Sequence, residues 1–130
     1  MMGVCGLIIV IGMINFLNIS VLIVAVLFGA VADGFNERGW KDAGHWLEPM
    51  EKPVLILGGA LMGWMALIPY IAFRVSLFDP VKNLARGQKW NYVGEVGWWD
   101  GLLSKIPPHG VVFIRVIFLV FAVGFTIREW

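Results

Sequence analysis

In the stretch DAGHWLE, Asp42, His45 and Glu48 recur at every third residue. On a helix that spacing gathers an imidazole and two carboxylates along one side, a set able to ligate a divalent metal. Acids bordering a connecting helix equally well just face water, so the spacing by itself assigns no metal. His109, next to Pro108, is read as a membrane-surface residue, because a porphyrin ligand normally lies inside a span. No GxSxG, HExxH, Walker A loop, GxGxxG or paired-histidine pattern occurs. Nothing assembles a nucleophile, a base and an orienting group, so the chain is read as a non-enzyme without catalytic residues, metal or cofactor.

A different chemistry attaches to Arg115, the one charge in the run VVFIRVIFLV at residues 111–120. A central arginine costs about 3 kcal/mol on insertion scales, which its apolar neighbours can outweigh. Its long stem is expected to carry the guanidinium back to the headgroups. The other reading is a pair with a carboxylate, and Asp79, Glu95 and Asp100 lie in the adjoining connection. Asn15 and Asn18 stand three residues apart in a charge-free run and share a helix face. Hydrocarbon disfavours a lone carboxamide, so both are expected to hydrogen-bond to another helix. Leu22, Ala25, Gly29 and Asp33 continue that face. In GGALMG, Gly59 and Gly63 form a GxxxG pair extended by Ala66, where two backbones can approach closely. Asn15, Asn18, Ala25, Gly29, Gly59, Gly63 and Ala66 are therefore the expected helix-packing residues.

Lipid is the solvent these residues imply. Of 130 residues, 59% are hydrophobic and 15% charged, with a mean hydropathy of +0.81, whereas soluble domains carry about 25% charged residues. A net charge of +1 argues against nucleic acid as a partner. The single cysteine, Cys5, excludes an internal disulfide and is read as a small apolar residue. The opening MMGVCG lacks the basic flank of a secretory signal, so the first segment is expected to be retained.

Three apolar runs define the expected architecture: an all-α integral membrane protein, one membrane domain over residues 1–130. The spans are placed at about residues 5–32, 53–73 and 110–127, with loops at 33–52 and 74–109. The first run would be about 45 Å long as a helix and must tilt or protrude from a ~30 Å core. Pro53 suits a first helical position and Pro69 would kink the second span. A runner-up has two spans plus a buried or re-entrant segment. Lys and Arg favour the second loop over the first, so the amino terminus and second loop are expected in the cytoplasm and the carboxyl terminus opposite.

Six of the seven tryptophans lie outside the apolar cores, where an indole suits the headgroup region. Within FDPVKNLARG, Asp79 can cap, Pro80 can start and Gly87 can stop a short helix. Trp98, Trp99, Leu102, Leu103 and Ile106 repeat at helical spacing and make a second short amphipathic helix, stopped by Pro107-Pro108. Arg74, Lys82, Arg86, Lys89, Trp98, Trp99 and Arg115 are the expected contacts to lipid or a partner. The expected function is a structural or accessory subunit of a membrane assembly, contacting lipids and copies of itself or other membrane proteins. The alternatives are an oligomeric pore or small transporter lined by Asn15, Asn18 and Arg115, and a surface enzyme using a metal at Asp42, His45 and Glu48.

Overall fold

The computed structural model of the chain describes residues 3–93 and 98–130, and at Lys41 the backbone alone. The elements are α1 (Val4–Arg38), α2 (Lys41–Met62), a 3-10 turn (Trp64–Ala66), α3 (Leu67–Ala85), α4 (Trp98–Leu103) and α5 (Pro108–Glu129). No strand occurs among the described residues. Three segments are long and apolar enough to cross a membrane: Val4–Arg38, Trp64–Ala85 and Pro108–Glu129.

Helix α1 runs unbroken for 35 residues, about 52 Å, because nothing in it interrupts the backbone ladder. It stops at Gly39, whose φ of 93° lets the chain turn back. The Gly39 N–H donates to the Asn36 carbonyl and the Trp40 N–H to that of Phe35, a Schellman pair. Gly87 ends α3 in the same way: φ is 78°, Gly87 N–H donates to Leu84 and Gln88 N–H to Asn83. The stop expected at Gly87 is thus present. Its helix, however, does not begin at Pro80, which lies inside α3.

Helix α2 returns antiparallel along α1, since Gly44 meets Asn36, Glu51 meets Gly29 and Gly58 meets Leu22. Pro49 and Pro53 sit inside α2 rather than at its start. The backbone donors they lack leave the His45 and Pro49 carbonyls unbonded within the helix, at exposed positions of its charged half.

The second apolar run, residues 53–73, is not one helix. It reverses at Gly63, where φ is +76°, a backbone that L side chains rarely adopt. Pro69 falls in the first turn of α3 rather than near the end of a span, and there its missing N–H costs no intrahelical bond. Helix α3 then runs parallel to α1: Leu22 and Ala25 share a core with Tyr70 and Phe73, and Gly34 faces Lys82 and Ala85. Helix α5 packs antiparallel to α3, with Arg115 at Asp79, Ala122 in the Phe73 cluster, and the Trp130 indole donating to the Met62 carbonyl at 2.9 Å. The layer order is α2, α1, α3, α5.

This alignment corrects the expected path. The Gly39 and Gly87 turns lie at the same end of the bundle, since α1 and α3 run parallel, whereas the expected path set the loops at 33–52 and 74–109 on opposite sides. Hydropathy registers that a run is apolar but not that the chain reverses within it.

Candidate functional site

The side chains that could do chemistry collect between α1, α2 and α3. Tyr70 and Arg74, four residues apart on α3, both reach the Glu51 carboxylate of α2. The Tyr70 hydroxyl donates to Glu51 Oε1 at 2.5 Å and Arg74 Nη1 donates to the same oxygen at 2.7 Å. Arg74 Nη1 also donates to the Tyr70 oxygen at 3.2 Å, and its guanidinium covers the Phe78 ring at 4.0 Å. Gly29 makes room on α1, since a Cβ there would lie 2.6 Å from Glu51 Oε2. Two turns along α1 from Gly29, Glu37 takes Lys82 Nζ on one oxygen and Arg86 Nε on the other, each at 2.7 Å.

The third pair joins α3 to α5. Arg115 is 5% exposed, and its Nη2 lies 3.6 Å from Asp79 Oδ2. None of the three guanidinium nitrogens has a protein acceptor within hydrogen-bond distance. Beside this pair is a chamber of about 40 Å³ lined by Asp79, Lys82, Asn83, Arg86, Tyr92 and Asp100. Asn83 shapes its wall by donating to the Tyr92 carbonyl at 2.7 Å and the Trp90 carbonyl at 3.3 Å. The chamber is the size for a few waters, and its cations and carboxylates are of comparable number.

The expected residues distribute as follows. Arg115 is enclosed beside Asp79 instead of extending to headgroups, because Asp79 is free to face it once Pro80 lies inside α3. Glu95, another candidate partner, lies outside the described residues, as do Met1 and Met2 of the opening MMGVCG. Arg74 pairs with Glu51, and Lys82 and Arg86 with Glu37, all three partly exposed, whereas Lys89 and Trp98 are exposed and Trp99 half-buried. Asn18, Ala25 and Gly29 are buried on α1 against α2 and α3, and Ala66 joins the same core. Gly59 and Gly63 do not form a packing face within the chain: a Cβ at either meets nothing within 4 Å, and Gly63 serves the reversal. Asn15 lies on the part of α1 beyond the bundle, and its carbonyl oxygen is shielded without a partner. Asp42, His45 and Glu48 are exposed on α2. Among the described residues no three His, Cys, Asp or Glu side chains stand close enough to hold a metal ion.

Sequence reasoning missed Glu51, Tyr70, Glu37 and Gly34. The signal for Glu37 was present, four residues after Asp33 on the face already traced from Asn18. Glu51 and Tyr70 could not be paired without knowing that the chain reverses at Gly63. Comparisons with known proteins add no family to this geometry: no protein-family model, curated protein or solved structure matches the chain.

Proposed function

We propose that the chain is a structural subunit of a membrane assembly and that the first half of α1 is its contact with a neighbouring membrane helix. The observation that carries this reading is the division of α1. Its buried residues begin at Asn18, whereas residues 4–17 project about 21 Å past the Gly63 turn with no helix of the chain beside them. That projection is apolar except for Asn15, which has no partner of its own for its carbonyl oxygen. A carboxamide among lipid tails is stabilised by a hydrogen bond from another helix, and Gly12, where a Cβ meets nothing within 4 Å, leaves the adjacent backbone open to close approach. The ion pairs support the same reading, since they link α3 to α2, to the second half of α1 and to α5, and none involves residues 4–17.

Asn15→Leu tests it. Asn15 Oδ1 has no hydrogen bond within the chain to lose, so thermal stability of the isolated chain in detergent is expected to stay at the parental value. Association should weaken by about 0.6 to 2 kcal/mol, roughly 3- to 30-fold. Native mass spectrometry of the protein extracted in mild detergent reads this directly. A complex of defined stoichiometry in the parent that is depleted in Asn15→Leu supports the reading; a parent that is monomeric in every detergent and in nanodiscs refutes it.

A further inference from the structure

We infer that the chain enters the bilayer from one side, with the α2–α3 hairpin as a re-entrant wedge ending at Gly63 and α1 as the one complete crossing. This rests on the membrane reading above and specifies the lipid surface that the protein fits.

Charge distribution is the first support. Measured from the Gly63 turn, nine basic residues lie at or beyond the level of the Glu51–Arg74 pair: Arg38, Lys41, Lys52, Arg74, Lys82, Arg86, Lys89, Lys105 and Arg115. Arg128 alone of the ten lies near the turn. A nine-to-one bias of this kind assigns the charged end to the cytoplasm by the positive-inside rule.

Lengths are the second. Gly63 to Arg74 is about 16 Å of helical rise and Gly63 to Glu51 about 18 Å, each near half of a ~30 Å hydrocarbon core. Between Arg115 and Arg128, α5 rises about 20 Å and so reaches the same depth, where Trp130 meets Met62. Only the charge-free part of α1, residues 4–32, rises more than the full core, at about 42 Å. Arg128 is exposed near the deep end, its Nε 3.8 Å from Glu129 Oε1, and its stem can carry the guanidinium part of the way toward the far headgroups.

Backbone satisfaction is the third. Non-helical backbone at membrane depth is tolerated only where its polar groups find partners. Around the reversal, the Gly63 N–H donates to the Gly59 carbonyl at 2.8 Å and the Gly63 carbonyl accepts from the Ala66 N–H at 3.1 Å. The Met62 carbonyl accepts from the Trp130 indole. Trp64, 78% exposed beside the turn, presents apolar area to the surrounding lipid.

Single cysteines placed in a Cys5→Ala background and reconstituted in oriented proteoliposomes test the arrangement. Ala43→Cys and Ser104→Cys should react with a membrane-impermeant maleimide from the same side, and Gly3→Cys from the other. Trp64→Cys should resist the reagent from both sides, and a nitroxide attached there should be relaxed by oxygen more than by a water-soluble nickel chelate. Opposite-side labelling of Ala43→Cys and Ser104→Cys overturns the one-sided entry. Free labelling of Trp64→Cys from the Gly3 side overturns the re-entrant wedge in favour of full crossings. Chelate-dominated relaxation at both Trp64→Cys and Met13→Cys contradicts the membrane reading itself, so the two failures are distinguishable.

Discussion

Asp79→Ala is expected to lower the stability of the folded chain by about 3 kcal/mol in a detergent-unfolding titration. The substitution leaves the Arg115 guanidinium enclosed with its nearest counter-charge removed, and no protein acceptor replaces it. The effect belongs at the lower end of the range for broken buried pairs, because Asp79 is partly exposed and the charges are 3.6 Å apart. The double variant Asp79→Leu/Arg115→Met should return close to parental stability, since apolar replacement of both partners removes the desolvation cost along with the attraction. Arg115→Lys should not match the parent, because an ammonium is more strongly hydrated than a guanidinium and costs more to enclose. If Asp79→Ala shifts stability by less than about 0.5 kcal/mol, Arg115 is reached by water and is not a buried charge.

The second large effect is at Gly34. A Cβ there would stand 2.5 Å from Ala85 Cβ and 2.7 Å from the Lys82 carbonyl oxygen, so the α1 and α3 backbones must separate to admit it. Gly34→Ala is expected to cost about 1 to 3 kcal/mol by overpacking. It should also weaken the link of Glu37 to Lys82 and Arg86, which bridges the same two helices. Gly59→Ala is the matched control, because its Cβ meets nothing within 4 Å. In the helical setting of α2 alanine is the better residue, so that variant should equal the parent or exceed it by about 0.5 to 1 kcal/mol. Equal losses in the two variants would mean that the α1–α3 contact is not the close one described.

These two sites show what could and could not be seen in the residues alone. The apolar runs, the long first helix, the stop at Gly87 and the short helix beginning at Trp98 follow from local pattern, and they are present. The face from Asn18 through Leu22, Ala25 and Gly29 was legible because steps of three and four residues place side chains on one side of a helix whatever packs there. The GxxxG pair makes no packing face within the chain, because Gly63 is needed for a positive φ where the chain reverses. From that one reversal follow the other misplacements. Glu51 comes opposite Tyr70 and Arg74, the Gly39 and Gly87 turns come to one end, and Arg74, Lys82 and Arg86 come within reach of acids. Pro80, read as a helix start, lies within α3 because α3 arrives from Leu67 already formed; Asp79 is thereby released from capping to face Arg115.

Site-specific photo-crosslinking in native membranes, with a photoreactive residue replacing Ile9, Met13 or Phe16, tests the contact through α1 directly. All three are exposed on the projecting half of α1, Phe16 at 75%. If the chain is a structural subunit bound through that half, irradiation yields a protein adduct of discrete mass from at least one of the three positions, and Asn15→Leu diminishes it. Lipid adducts alone at all three positions would show that residues 4–17 meet only hydrocarbon, and would contradict the assignment of this segment as the contact that places the chain in an assembly.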